Sequence, residues 1–210
     1  MPRILIADDH AVFRQGLNQL LGEQIEGVVF GEAATAQEVL ELVWHDRWDI
    51  VVLDVSMPGR SGIEILREIK KSTPQLPILV LSSHPEEQYG VRVVREGASG
   101  YLNKASEPRE IVGAIKRILS GGLYITPSLA EQLATAVAHP GFALPHEKLS
   151  ARELQVLQLT TSGKSVKEIA AELRLSGQTV FTYRARLMEK MGFKTSAQAM
   201  RYAIDNKLIE

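Results

Sequence analysis

The chain has 210 residues, and its content of 45% hydrophobic and 23% charged residues is typical of globular proteins, which excludes a largely disordered chain. The length allows one large domain or two small ones, and the absence of cysteine excludes disulfides and thiolate metal sites. Because the sequence has neither an apolar run of bilayer length nor a signal peptide, we expect a cytoplasmic protein with no membrane partner.

The formal net charge of −1 conceals an asymmetry between the two halves of the chain. Residues 1–125 carry 13 Lys and Arg against 17 Asp and Glu, a net charge of −4, whereas residues 126–210 carry 11 against 8, a net charge of +3. A basic module suits a polyanionic partner such as nucleic acid, although a solvated surface explains so small an excess equally well. The charge is therefore supporting evidence only.

The first half alternates short apolar runs with amphipathic stretches, which is the pattern of repeated strand and helix units. Five apolar runs predict strands at residues 3–7, 28–33, 50–53, 78–81 and 100–102. Such runs are typical of parallel strands that are buried on both faces. Apolar residues at helical spacing, such as Leu17 and Leu21, predict helices between the strands. We therefore predict an α/β fold with a five-stranded, parallel, doubly wound sheet.

The pattern changes after residue 122. A short helix predicted at residues 128–138 is followed by residues 139–146, where two prolines and a glycine argue against a continuous helix and indicate a linker. From residue 149 onward the spacing predicts a small all-α domain of four short helices, two of which begin at capping boxes headed by Ser150 and Ser165. We therefore predict an α/β domain at residues 1–122, a helix and linker at residues 123–148, and a small all-α domain at residues 149–210.

Polar residues follow four of the predicted strands. Asp8 and Asp9 follow the first strand, Asp54 the third, Ser82 the fourth, and Lys104 lies just beyond the fifth. In an open parallel sheet these positions share one edge, where ligands bind. Carboxylates crowded there would repel one another unless a hard cation lay among them, and oxygen ligands suit Mg²⁺. The sequence therefore predicts a magnesium site at this edge.

With the cluster neutralised, Asp54 could attack phosphorus and form an aspartyl phosphate. Lys104 and Ser82 would then supply a positive charge and a hydrogen-bond donor to the phosphoryl oxygens. Each feature alone has an ordinary explanation, since Asp8 and Asp9 could form a solvated acidic turn and Lys104 could be a surface lysine. Their occurrence together favours the phosphoryl-transfer interpretation.

The motifs Asp8-Asp9-His10, Asp54-Val-Ser-Met-Pro-Gly59, Leu81-Ser-Ser83 and Gly100-Tyr-Leu-Asn-Lys104 resemble the receiver domains of two-component response regulators. The resemblance covers about residues 1–120 and implies a flavodoxin-like receiver with Asp54 as the phosphoacceptor. It implies Asp9 as a direct Mg²⁺ ligand, Asp8 as a ligand largely through water, and Ser56 as a ligand through its backbone carbonyl. It also implies a sensor histidine kinase or a small phosphodonor as partner.

The same resemblance implies a switch, in which Ser82 turns toward the phosphoryl group and Tyr101 rotates inward behind it. Simple packing is the alternative role for Tyr101. Ala105 follows Lys104 where many receivers have a proline after a cis bond, which does not put phosphorylation in doubt. Ser56 and His84 are expected to flank the water that hydrolyses the aspartyl phosphate, and so to affect its lifetime.

The second half contains a helix-turn-helix pattern. Residues 174–177 form a short corner, and Ser176 is placed to cap the helix that follows. With Val180, Leu187 and Met191 facing inward, helical geometry turns the opposite face outward as a candidate DNA-contacting face. Arg186, Thr179 and Lys190 lie along one flank of this face, and Phe181 lies along the other. The predicted contacts are Gln178, Thr179, Thr182, Ala185, Arg186 and Lys190. A solvated helix face and a protein-binding module remain the alternatives.

The stretch Leu149-Ser-Ala-Arg-Glu-Leu-Gln-Val-Leu157, with Lys167-Glu-Ile-Ala-Ala-Glu-Leu173 and Leu175-Ser-Gly-Gln-Thr-Val180, resembles the LuxR-type helix-turn-helix of NarL/FixJ-family regulators. The resemblance implies binding to promoter DNA and an active homodimer. Gly177, Phe181 and Tyr183 depart from the usual reading helix, so the target sequence does not carry over. In this family the last helix, here about residues 196–206, pairs two modules, which makes Tyr202 and Ala203 dimer candidates; packing within one module is the alternative.

These observations predict a response regulator in which phosphorylation of Asp54 controls transcription. We expect no enzyme activity beyond the receiver's assistance to its own phosphorylation and dephosphorylation. One rival hypothesis is a phosphohydrolase with an aspartyl nucleophile, but Ser56 stands where such enzymes have a second acid, and no substrate-binding cap is apparent. The other is an adaptor that signals through protein contacts without DNA.

Overall fold

The computed structural model describes residues 1–57, 60–138, 145–206 and 208–209. The chain divides into two compact units, Met1–Ala138 and His139–Glu210. Within the described parts of the chain, the first unit contains five strands and six helices, and the second contains helices and no strand. Among the described helices, none combines the length and the apolar character that crossing a bilayer requires.

The first unit is built on a parallel sheet of five strands, as the apolar runs predicted. The strands are β1 (Arg3–Ala7), β2 (Val29–Ala33), β3 (Ile50–Asp54), β4 (Ile78–Ser82) and β5 (Gly100–Asn103), in the spatial order β2-β1-β3-β4-β5. Every residue of β3 and of β4 is buried, which is why their sequences are continuously apolar up to the final residue. The order reverses between β1 and β3, and ligands bind at such a switch point.

Five helices connect and cover the sheet. They are α1 (Ala11–Gln24), α2 (Ala36–His45), α3 (Gly62–Ser72), α4 (Glu86–Arg95) and α5 (Pro108–Leu119). The predicted apolar stripes of α1 and α5 share one core cluster with residues of β1, β3, β4 and β5. Thr35 and Ser61 cap α2 and α3 by accepting backbone hydrogen bonds, so local sequence fixes where these helices begin. The doubly wound α/β fold is confirmed.

Helix α6 (Pro127–Ala138) belongs to the first unit. It packs on α4, with Leu129 fully buried against Gly90, and the Thr126 hydroxyl donates to the Glu86 carboxylate at 2.7 Å. Just before α6, Tyr124 forms a parallel bridge with Gly100 at the edge of the sheet. The predicted domain boundaries at residues 122 and 148 remain a prediction. The structure adds that α6 packs on the first unit. Most of the predicted linker, residues 139–144, lies outside the described residues.

The second unit contains a short 3₁₀ helix (Pro145–Lys148) and the helices α7 (Ala151–Thr161), α8 (Val166–Leu173), α9 (Gly177–Met191) and α10 (Ser196–Asp205). Both predicted capping boxes form, Ser150 with Glu153 and Ser165 with Glu168, and Ser176 caps α9 by accepting from the backbone N–H of Thr179. The buried core of the second unit includes Val180 and Leu187, as expected, whereas Met191 is only half-buried.

The first residue of α3 lies directly behind the loop that follows Asp54. The Gly62 N–H donates to the carbonyl of Val55 at 3.1 Å. A Cβ atom at Gly62 would lie 2.5 Å from the carbonyl oxygen of Asp54 and 2.5 Å from the Cα of Val55. These are backbone atoms, which cannot rotate away, so only glycine allows α3 to begin this close to the end of β3.

We expect Gly62→Ala to lower the free energy of unfolding by about 1–3 kcal/mol, because the backbone must shift to relieve the overlap. Gly113→Ala is the matched control, since Gly113 lies exposed within α5 and a Cβ there would meet no atom within 4 Å. The control should gain about 0.5–1 kcal/mol through helix propensity. Urea unfolding of both variants measures the difference, and equal stabilities would contradict the close approach.

Candidate functional site

The register of the sheet brings the polar strand ends to one edge. Aligned there are Ala7 with Leu53, Asp54 with Leu81, and Ser82 with Asn103. Asp8 directly follows β1, Asp54 is the last residue of β3, and Lys104 directly follows β5. Asp8, Asp54 and Ser82 are buried, with Asp54 only 1% exposed. The predicted convergence of strand ends is therefore present in the fold.

Lys104 lies between two carboxylates of this edge. Its Nζ is 2.6 Å from Oδ2 of Asp8 and 2.9 Å from Oδ2 of Asp54. The ammonium also lies 4.8 Å from the ring centre of Phe13, within the range of a cation–π interaction. Lys104 is therefore not an ordinary surface lysine, because its side chain is only 11% exposed.

Burial and the ion pair act in opposite directions on this site. Burial raises the pKa of Asp54 above its ordinary value, although the charge and hydrogen bond of Lys104 and the backbone N–H of Ser56 oppose the shift. Burial alone would lower the pKa of Lys104, but the carboxylates of Asp54 and Asp8 outweigh burial, so this pKa is raised. Lys104 therefore remains an ammonium at neutral pH.

Four side chains at this edge could each offer a ligand atom to a metal ion. One atom from each of Asp8, Asp9, His10 and Asp54 lies within 4.8 Å of all the others. The three carboxylates supply the hard oxygen donors that Mg²⁺ prefers, and they fit that ion. His10 is exposed, and its Nδ1 lies 3.0 Å from Oδ1 of Asp9 and 3.2 Å from Oδ1 of Asp8.

Ser56 lies in the loop after β3. Its N–H donates to Oδ1 of Asp54 at 2.9 Å, which fixes the carboxylate of the candidate phosphoacceptor. Its hydroxyl oxygen is buried and has no hydrogen-bond partner among the residues that the structure describes. The adjoining Pro58 and Gly59 of the motif lie outside the described residues. The role of the Ser56 backbone carbonyl as a metal ligand remains a prediction.

Ser82 and Tyr101 belong to a hydrogen-bond network around the β4–α4 loop. The Tyr101 hydroxyl donates to the carbonyl oxygen of His84 at 2.7 Å, and the Asn103 side-chain amide donates to the same oxygen at 3.1 Å. The His84 N–H donates to the Ser82 hydroxyl at 3.1 Å. Tyr101 is fully buried, so it occupies an inward position, and burial raises its pKa.

Three residues that contact this site were not among the predicted site residues. Arg14 donates from one guanidinium nitrogen to the backbone carbonyl of Asp8 at 2.6 Å, and from Nε to Glu32 at 2.8 Å. Asn103 and Phe13 contact the site as described above. Only Asn103 carried a local signal, since it precedes Lys104. The contacts of Arg14 and Phe13 depend on how α1 lies across the sheet.

The predicted DNA-contacting residues lie on α9 of the second unit. Gln178, Thr182, Ala185 and Arg186 are exposed, whereas Thr179 is half-buried. The Thr182 hydroxyl donates to the carbonyl of Gln178 at 3.0 Å, and the hydroxyls of Thr179 and Ser176 lie 2.8 Å apart. The exposed set forms one face of the helix, because the residues that fill the core occupy the opposite face.

Lys190 differs from the other residues of this set, because its charge is paired within the unit. Its Nζ donates to Oε2 of Glu153 at 2.7 Å, and Glu153 is also the acid of the α7 capping box. Burial alone would raise the pKa of Glu153, but hydrogen bonds from Lys190 and Ser150 outweigh it and hold the pKa below its ordinary value. Lys190 therefore joins α9 to the start of α7.

The two dimer candidates on α10 face different surroundings. Ala203 is fully buried, so it packs within its own unit. Packing within one module was the alternative to a dimer contact for this residue. The Tyr202 hydroxyl lies 2.8 Å from Nδ1 of the buried His146, and its ring packs 5.4 Å from that of Phe193. The large apolar residues that α10 exposes are instead Met200 and Ile204, one turn apart.

Comparison with protein families finds two matches that follow the two units. Residues 4–116 match the response regulator receiver domain, and residues 147–203 match the bacterial regulatory proteins of the luxR family. The first match contains the acidic edge, which is the group of strand-end residues Asp8, Asp9, Asp54, Ser82 and Lys104. The second match contains all of α9.

Relatives match over nearly the full length. Response regulator UvrY of Escherichia coli is 36% identical over 210 residues, covering 99% of this chain and 96% of UvrY. Response regulator GacA of Pseudomonas aeruginosa is 32% identical over 212 residues, covering 100% of this chain and 99% of GacA. A solved structure of Salmonella enterica RcsB, bound to the promoter rprA with the phosphomimetic BeF3−, is 27% identical with a TM-score of 0.62; the match covers 96% of this chain and 97% of RcsB.

We expect Lys190→Ala to lower the free energy of unfolding by about 1 kcal/mol at neutral pH, because it removes the cation from the Glu153 carboxylate. The folded pKa of Glu153 is depressed, so its stabilisation is present above the ordinary value of 4.5 and is lost as the pH falls through the folded value. The difference from wild type should therefore shrink in acid.

Urea unfolding followed by far-ultraviolet circular dichroism at several pH values measures this difference. Arg186→Ala is the control, because Arg186 is exposed on the same helix and should leave stability unchanged. A Lys190→Ala loss that is constant with pH would contradict the ion pair as its cause.

Proposed function

The chain belongs to the NarL/FixJ family of bacterial response regulators and is a DNA-binding response regulator of a two-component system, and we propose that phosphorylation of Asp54 controls its binding to promoter DNA. The observation that carries the proposal is the Lys104 ammonium held between the carboxylates of Asp8 and Asp54. It supplies a cation at the position where an oxygen of Asp54 would accept a phosphoryl group.

In the proposed reaction an oxygen of Asp54 attacks the phosphorus of a phosphohistidine on a sensor kinase, or of a small acyl phosphate. The O–P bond to Asp54 forms as the bond to the leaving imidazole or carboxylate breaks. Lys104 then pairs with a phosphoryl oxygen instead of the Asp54 carboxylate, and Ser82 donates its hydroxyl hydrogen to another. We propose that Lys104, Ser82 and Asp54 carry this step.

Magnesium would supply charge neutralisation for the phosphoryl oxygens and the carboxylates when bound. We propose that Asp9, Asp54 and the backbone carbonyl of Ser56 hold it directly and that Asp8 holds it largely through water. The buried carboxylates support this proposal, because Lys104 alone offers one positive charge to Asp8 and Asp54 together.

The phosphoryl signal would leave the site through Ser82 and Tyr101. Both residues bond to His84, Ser82 to its N–H and Tyr101 to its carbonyl oxygen. A turn of Ser82 toward the phosphoryl group would release the N–H of His84 and loosen the loop that leads into α4. We propose that Tyr101 retains the inward position when Asp54 is phosphorylated and can leave it otherwise.

The second unit would read DNA with α9. Gln178, Thr182 and Ala185 can approach base edges, and Arg186 can reach phosphates. We propose smaller contributions to DNA binding from Thr179, because it is half-buried, and from Lys190, because it is paired with Glu153. For the active homodimer we propose contacts through α10, where Met200 and Ile204 expose apolar surface.

The receiver would assist only its own phosphorylation and dephosphorylation, with no separate substrate. We place the protein in the cytoplasm, where a bacterial promoter and the kinase's phosphohistidine are accessible. The sequence division into a receiver at 1–122, a helix and linker at 123–148 and a DNA-binding domain at 149–210 is retained as part of the proposal.

Asp54→Ala should abolish phosphorylation by acetyl phosphate and Mg²⁺, because it removes the nucleophilic carboxylate. Phos-tag electrophoresis measures the modified fraction of the full chain. Asp46→Ala is the matched control and should be modified like wild type, since Asp46 is an exposed aspartate of the same unit with its side chain 42% exposed. A mobility shift that survives Asp54→Ala would overturn the assignment of the phosphoacceptor.

Arg186→Ala should weaken binding to every duplex by a similar factor and reduce the dependence of the binding constant on salt, because a phosphate contact is lost. Thr182→Ala should instead change the order of preference among duplexes. Fluorescence anisotropy at several salt concentrations, on a selected duplex and on an unrelated one, distinguishes the two effects. Arg109→Ala, an exposed arginine of the first unit, is the control that should change neither.

A further inference from the structure

Phe181 exposes 54% of its surface on α9, the helix proposed to read DNA. The buried core residues of this helix, Val180 and Leu187, lie roughly 100–120° around its axis from Phe181, so the ring is not a buried member of that core. A single exposed apolar residue is ordinary on a protein surface, so exposure alone argues for nothing. The position of Phe181 on this helix is what gives its exposure a meaning.

Phe181 follows Gln178 by three residues and precedes Ala185 by four, so the three side chains occupy one stripe of α9. It also lies in the second turn of a helix that begins at Gly177. Residues near the start of a recognition helix are those that reach base edges in the major groove. An approach to DNA that brings Gln178 and Ala185 to the bases therefore brings the Phe181 ring with them.

A phenyl ring in the major groove can make neither a hydrogen bond to a base edge nor an ion pair with a phosphate. The apolar group that the groove offers is the C5-methyl of thymine, and aromatic contact with that methyl is an established form of direct readout. The neighbours on the stripe favour close approach, because Ala185 is small and Gln178 can lie along the base edges. The nearby Arg184 is directed elsewhere, with its guanidinium donating to the Ser196 hydroxyl at 2.9 Å.

We propose that Phe181 is a specificity-determining residue that packs against the C5-methyl of a thymine in each bound half-site. This inference rests on the proposed role of α9 as the reading helix. It makes the protein select thymine at one position through apolar contact, where hydrogen bonding alone would accept any base with a matching acceptor. Removal of the methyl should weaken binding about fourfold, the effect of exposing one methyl-sized group.

The test uses the full chain, treated with acetyl phosphate and Mg²⁺, and a duplex enriched by this protein from a random-sequence library. Each thymine of the enriched duplex is replaced in turn by deoxyuridine, which retains every hydrogen-bonding group and lacks only the methyl. Anisotropy titrations then give the ratio of dissociation constants for the uracil and thymine forms. A thymine outside the bound site is the control duplex, and its ratio should be one.

Wild type should show a ratio of about four at one thymine per half-site. Phe181→Ser should bring that ratio to about one, whereas Phe181→Leu, which keeps an apolar side chain, should retain most of it. Because Phe181 is exposed, both variants should fold, and circular dichroism melting checks this. A wild type insensitive to every replacement, or a Phe181→Ser variant with an unchanged ratio, would overturn the proposal.

Gln178→Ala separates this inference from the proposed role of α9. If Gln178→Ala changes the base preference while Phe181→Ser leaves the uracil ratio intact, α9 reads DNA and the inference about Phe181 fails. If neither variant changes any preference and the protein still binds the duplex, the reading role of α9 itself fails, and the inference fails with it.

Discussion

The first unit depends on the neutralisation of carboxylates buried at one edge of its sheet. Asp8 and Asp54 are taken out of water, which is costly for two like charges, and the Lys104 ammonium offsets part of that cost at 2.6 and 2.9 Å. The offset is incomplete, because burial still raises the pKa of Asp54. A site with more negative than positive charge at short range favours the binding of a metal ion.

Two groups of contacts connect this site to the surrounding helices of the first unit. Gly62 allows α3 to lie against the backbone of Asp54 and Val55 at the end of β3. On the far side, Ser82 and Tyr101 both bond to His84 at the start of the loop into α4, and α6 packs on α4 through Leu129. The loop that contains His84 thus leads directly into α4, the helix that contacts α6.

The second unit has four short α-helices that pack around a small core. Side-chain caps fix the starts of its helices, and Glu153 combines a cap on α7 with an ion pair to Lys190 of α9. These polar contacts and a few buried residues hold the helices together. Much of the outer face of α9 is therefore not needed for packing within the unit. A face of that kind can vary with the DNA target, and Phe181 lies on it, 54% exposed.

The sequence by itself determined the boundaries of the five strands to within one residue, the helix caps at Ser150, Ser165 and Ser176, and the group of polar residues at the strand ends. These features depend on local patterns and on the parallel topology. Only the tertiary structure decided that α6 packs on α4, that Arg14 and Phe13 contact the acidic edge, that Ala203 is buried, and that Lys190 is paired with Glu153. The reason is physical: hydrophobic periodicity shows which face of a helix is buried, but the partner of a charge or an apolar face depends on packing between segments distant in the chain.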